Sequence, residues 1–136
     1  MERDTKIIAS FELLTALGLV FFWIGFFTIG LAPESPPQCY FAYERSFPLP
    51  DLILAAALFI SSRLLFKRKP SGRSLSLLCA GALMFLGILD LSFNIQNGIY
   101  SLSMLDLVLN AFINLWCVAF GLLIAVCMPL VSHDSA

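Results

Sequence analysis

At 136 residues, the chain is 60% apolar and 12% charged, about half the charged fraction usual in soluble domains. Too little polar surface remains to coat a water-soluble globule, so the chain is expected in lipid. Its net charge of −1, with no basic domain outside the apolar runs, excludes nucleic acid as a partner.

The first apolar run, Ile7 to Leu31, contains one charge, Glu12. At ~1.5 Å of rise per residue it is long enough to cross a hydrocarbon layer of ~30 Å, and too long for the apolar part of a signal peptide. It is read as a retained span over residues 7–31. Pro33, Pro36, Pro37, Pro48 and Pro50 follow within residues 32–50, where each proline removes a backbone donor and restricts its predecessor. This is an outer loop, with one turn expected between Tyr40 and Arg45.

The second span covers 51–66. Asp51 at its start is placed to accept from the first free backbone donors of the helix. Arg63 near the far end can extend its guanidinium to the interface. Residues 67–74, which include Lys67, Arg68, Lys69 and Arg73 around Pro70-Ser71-Gly72, form a tight cytoplasmic loop. The third span covers 75–97 and the fourth 106–129. Between them lies an outer loop, 98–105, opened by Asn97-Gly98, a pair suited to left-handed backbone. Pro129 is expected to close the last helix.

Seven of the eight Lys and Arg residues fall on the N-terminal tail or around the middle loop, and only Arg45 lies on an outer loop. The positive-inside tendency therefore puts both termini in the cytoplasm. Tyr40, Tyr43 and Tyr100 fall at the outer interface as an aromatic belt. The expected fold is an all-α integral membrane four-helix bundle of two consecutive hairpins, N-in/C-in, forming one transmembrane domain over 1–136 in the plasma (inner) membrane.

Two polar stripes interrupt the second hairpin. Asp90, Asn94 and Asn97 share one face of the third span, and Asp106, Asn110 and Asn114, continued by Cys117, Gly121 and Ala125, share one face of the fourth. A hairpin turning near Leu102 would pair Asp90 with Asn114, Asn94 with Asn110, and Asn97 with Asp106. Because a carboxylate or amide facing lipid is costly, both stripes should face protein or a polar cleft. As interhelical glue, each bond would contribute about 0.6 kcal/mol. As a site, the stripes would line an outward-opening pocket around Asp90, about 10 Å below the outer boundary, with Arg45 as the available cationic partner. On the inner side, Glu12 and Arg63 lie at similar depth and suggest an ion pair.

The remaining chemistry is sparse. Cys39, Cys79, Cys117 and Cys127 form no CxxC pair and His133 is the only histidine, so neither a metal ligand set nor a cofactor is expected. No nucleophile–base pair stands out, and no catalytic residue is assigned. Three readings follow. The sequence favours a non-enzymatic accessory or partner-binding module, whose partners would be membrane lipids and a second copy or another membrane protein. The alternative is an oligomeric small transporter or channel component using Asp90 or Glu12. The third is a membrane enzyme acting on a lipid or isoprenoid.

Overall fold

The computed structural model describes residues 2–133, with side chains over 3–128. Among them the regular structure is all helical, without strands. It forms α1 (Glu2–Thr28), the short α2 (Tyr40–Glu44), α3 (Pro48–Phe66), α4 (Pro70–Gln96), a 3-10 turn (Ile99–Ser101) and α5 (Met104–His133). Four of these helices are long and apolar enough to cross a membrane.

The helices start earlier than the apolar runs suggest, because their first turns are built from residues that read as loop. Pro48 opens α3 and Pro70 opens α4 at the first helical positions. A missing N–H costs nothing there and the fixed φ already suits a helix. The turn between the two helices shrinks to Lys67, Arg68 and Lys69, with Arg68 in left-handed backbone at φ 55°. Gly72, read as part of that turn, instead lies inside α4, where an added Cβ would stand 2.9 Å from the Leu65 backbone nitrogen. Here the glycine permits close helix contact. At the other end of the molecule α1 stops at Thr28, two residues before Gly30 with its φ of +75°. α5 runs past Pro129 to His133, so the proline removes one donor without ending the helix.

α5 begins with a serine N-cap absent from the sequence reading. The Ser103 hydroxyl accepts from the Asp106 backbone N–H at 3.0 Å and donates to Asp106 Oδ2 at 2.6 Å, which satisfies a free donor of the first turn. Asn97 and Gly98 close α4 as expected, Gly98 adopting φ 67°.

α1 packs on α3, α3 on α4, and α4 on α5. Small residues bring the last pair close: added Cβ atoms at Gly87 and Gly121 would stand 2.9 Å from the Asn114 carbonyl and 2.7 Å from the Ala80 carbonyl. The main core runs the length of the bundle through Ala9, Leu58, Leu83 and Ile124. A second cluster, Trp23, Phe26, Tyr40 and Ile99, closes the end opposite the basic turn. There the proline-rich segment folds back over the helices, with Tyr43 stacked on Phe93 at 3.6 Å between ring centroids.

All three tyrosines lie at this end of the bundle, and each is engaged inward. Tyr40 is buried, Tyr43 stacks on Phe93, and Tyr100 accepts a bond from Asn114. Packing of α2 onto the bundle draws the first two inward, and the bond to Asn114 draws in the third.

Candidate functional site

α1 meets α5 through side chains in the half of the bundle nearest the basic turn. Phe11 lies 5.7 Å from Trp116 and 6.0 Å from Phe120 between ring centroids, and the Trp116 indole donates to the Thr15 hydroxyl at 3.0 Å. Toward the other end, a cleft of about 580 Å³ opens between these helices. Its walls are apolar, with Leu14, Phe21 and Phe112 exposed at its rim. Gly18 adds open space, since a Cβ there would meet nothing within 4 Å.

Three carboxylates line the same cleft: Glu44 from α2, Asp51 from α3 and Asp90 from α4. No Lys, Arg or His is among its lining residues. Asp51 is only 5% exposed. Rather than capping α3, its Oδ2 accepts from the Trp23 indole at 2.8 Å, while Oδ1 has no partner. With the helix starting at Pro48, Asp51 already lies in its first full turn, facing α1.

Asp90 sits within electrostatic reach of both Glu44 and Asp51. Its Oδ2 accepts from Asn94 Nδ2 at 3.2 Å, and the Asn114 and Tyr43 side chains flank it. Asn114 gives its N–H to the Tyr100 hydroxyl at 2.8 Å. Three further buried oxygens in this region, Asn94 Oδ1, Asn114 Oδ1 and the Tyr43 hydroxyl, have no hydrogen-bond partner. The unfilled capacity at the acids and amides is therefore acceptor capacity.

The residues singled out from the sequence divide into two groups. Asp90, Asn94 and Asn114 come together: Asp90 meets Asn114 as the hairpin register expects, while Asn94 bonds Asp90 of its own helix instead of Asn110. Asn97, Asp106 and Asn110 do not join them. Asn97 Nδ2 donates to the Phe93 carbonyl at 3.0 Å and its Oδ1 accepts from Cys39 at 3.4 Å. Asp106 serves the cap of α5, and Asn110 donates to the Asp106 carbonyl at 2.8 Å, though it still borders the cleft. Local bonds to the backbone and to the Ser103 cap compete for these side chains, so the two stripes are not a continuous ladder. Arg45 does not reach Asp90 either. It is exposed, with its guanidinium 5.8 Å from the centroid of the Phe41 ring.

The expected Glu12–Arg63 ion pair is also absent. Glu12 is 0% exposed and its Oε1 accepts from the Ser76 hydroxyl, while Oε2 is unpartnered. Arg63 is exposed, its guanidinium 5.5 Å from the centroid of the Phe59 ring. One residue along a helix is about 100° of rotation. Ser62, which bonds the Ala9 carbonyl at 2.6 Å, takes the face turned to α1, and Arg63 is thereby turned away. Ser61 donates to the Gly72 carbonyl at 3.2 Å, completing a buried polar seam among α1, α3 and α4.

Sequence reasoning missed Glu44, Asp51, Trp23 and the serines of this seam as site residues. Adjacent serines inside an apolar span, and an acid beside Pro50, were the available signals. Among the described residues no three His, Cys, Asp or Glu side chains converge closely enough to hold a metal ion, and all four cysteines are free.

Fold and site together define, among the described residues, an all-helical bundle with four helices long and apolar enough to span a membrane and an acid-lined lateral cleft. Compared with protein-family models, with curated proteins and with solved structures, the chain finds no match.

Proposed function

We propose that this is a small multi-pass membrane protein acting as a non-enzymatic binding module, whose ligand is an amphiphilic molecule entering the α1–α5 cleft from the bilayer. The membrane setting is supported by an inverted distribution of polarity. Phe21, Phe85 and Ile88 are exposed on the outside, while Glu12, Asp51, Ser61, Ser76 and Asn114 are buried inside. Water would favour the opposite arrangement, and lipid favours this one.

The termini lie on the cytoplasmic side in this reading, with the basic turn. A reporter active only outside the cytoplasm should be silent when fused at the C-terminus and active when inserted after Gln38. Activity at the C-terminus would reverse the orientation.

The observation that carries the binding reading is the cleft itself. Its volume falls within the ~300–1,000 Å³ range of small-molecule sites, and it joins apolar walls to a few polar groups at one end. Such a shape fits a molecule with one long apolar part and a polar head. The two sides of the entrance are the exposed faces of α1 and α5, so a ligand dissolved in the bilayer reaches it without crossing water.

Gly18→Leu provides the test. The substituent occupies open space in the cleft, and replacing a helical glycine favours the helix by roughly 0.5–1 kcal/mol, so the variant should remain folded. A long-chain alcohol with a bromine-labelled chain, added to the protein in phosphatidylcholine nanodiscs, should quench the wild-type tryptophans. Gly18→Leu should weaken that quenching about tenfold. Equal quenching in both proteins would sink the binding reading.

A further inference from the structure

We infer that the ligand of this cleft carries a cationic head with N–H donors, an alkylammonium group, seated between Asp51 and Asp90 with Glu44 above it. The inference rests on the binding reading above and specifies the chemistry of the bound molecule.

Three observations converge on it. First, the three carboxylates that line the cleft face no basic side chain there, and the one nearby arginine in sequence, Arg45, is turned outward onto Phe41. Acids clustered away from water without a counter-charge favour an incoming cation, because opposite charges interact more strongly as the surroundings become less polar.

Second, apart from the Tyr43 hydroxyl, which can itself donate to Asp90, the unsatisfied groups here are acceptors. Asp51 lines the cleft and is 95% buried, with Oδ1 lacking a donor; behind the cleft wall, next to Asp90, the buried amide oxygens of Asn94 and Asn114 also lack one. Asn94 has already turned its N–H₂ toward the Asp90 carboxylate, which leaves its oxygen as an acceptor. A neutral alcohol brings a single O–H donor. A primary ammonium brings three N–H donors and a charge, and charge-assisted bonds to carboxylates are roughly twice as strong as neutral ones.

Third, the acids share one cleft without forming a metal site. No three of them approach closely enough to share a metal ion, so the geometry suits a broader organic head. The apolar walls continue from the acids along Leu14, Phe21 and Phe112, giving the attached chain a place to lie. A simple inorganic cation would leave this surface unused.

The molecule supplies its own probe. Its two tryptophans, Trp23 and Trp116, both line the cleft, so intrinsic fluorescence reports on this space. A long-chain primary amine, protonated at neutral pH, and the alcohol of the same chain length would be compared, each with a bromine-labelled chain, on full-length protein in phosphatidylcholine nanodiscs. The wild type should be half-quenched by the amine at a concentration about tenfold lower than by the alcohol.

In the double variant Asp51→Asn with Asp90→Asn, the preference should disappear, the half-quenching concentrations of amine and alcohol becoming equal. The amide at position 51 keeps an acceptor for Trp23. The single variants, each expected to lose part of the preference, carry the test if the double variant does not fold. Gly18→Leu measures quenching from outside the cleft. Equal quenching by both probes in the wild type, or an undiminished amine preference in the Asn variants, would overturn the cationic head and leave a neutral amphiphile. Loss of the blocking effect of Gly18→Leu for both probes would overturn the binding reading itself.

Discussion

Gly121→Leu is expected to produce the largest loss of stability of any single change in the second hairpin. A Cβ at this position would stand 2.7 Å from the Ala80 carbonyl oxygen, 2.7 Å from Met84 Cγ and 3.2 Å from the Met84 backbone nitrogen. The methionine side chain can move, but the carbonyl belongs to the backbone of α4. Accommodating leucine therefore requires the two helices to separate along their closest contact. Overpacking of a well-filled core typically costs about 1–3 kcal/mol, and a backbone clash lies at or beyond the upper end of that range. Thermal unfolding in detergent should show the loss directly. Gly81→Leu is the control, since Gly81 is on α4 but a Cβ there meets nothing within 4 Å. Similar unfolding temperatures for Gly121→Leu and the wild type would mean that α4 and α5 do not approach as described.

Trp23→Ala should cost about 3–5 kcal/mol, the range expected when a buried tryptophan is truncated. The residue is 4% exposed and packs against Phe22 and Phe26, with ring centroids 5.2 and 5.3 Å away. It also gives Asp51 its one hydrogen bond. Trp23→Phe separates these contributions. Phenylalanine keeps most of the apolar contact and deletes the N–H, leaving both oxygens of a buried carboxylate bare. Loss of a hydrogen bond to a charged group is worth about 1.5–3 kcal/mol. In the Asp51→Leu background the same Trp23→Phe change should cost much less, because no carboxylate remains to be satisfied. If Trp23→Phe unfolds like the wild type in both backgrounds, the indole–carboxylate bond does not organise this end of the molecule.

These two sites differ in how far they could be anticipated. The small face at Cys117, Gly121 and Ala125 follows from spacing along one helix, and its use against α4 needs only a hairpin with a short turn. The Trp23–Asp51 bond joins residues 28 positions apart across a proline-rich segment. No local pattern reveals that α3 starts at Pro48, which is what turns Asp51 toward α1. The same limitation explains Arg63. Depth along the membrane normal made it a partner for Glu12, but rotation about the helix axis decides partners, and Ser62 occupies the inward face.

Asn97, Asp106 and Asn110 show a related effect from the other direction. Their spacing aligns them with Asp90, yet local backbone groups and the Ser103 cap compete for them. Asp106 holds the hydroxyl of the Ser103 cap, and the two amides bond carbonyls of their own helices. Local bonds cost little conformational entropy to form, so they win over the longer-range ladder. Asp90, Asn94 and Asn114 lie deeper, and those three converge.

By itself, the sequence determined four long apolar helices, the turn at Asn97-Gly98 and the clustering of basic residues around one end. Each of these is a property of consecutive residues: apolar length, backbone preference and charge. Tertiary structure alone decided that Glu44, Asp51 and Asp90 share a cleft, that Glu12 meets Ser76 instead of Arg63, and that the proline-rich segment covers the end of the bundle. The physical reason is that helix rotation and close approach depend on side chains from several helices at once, and a stripe on one helix acquires a function only when its neighbours leave it facing a wall or an opening.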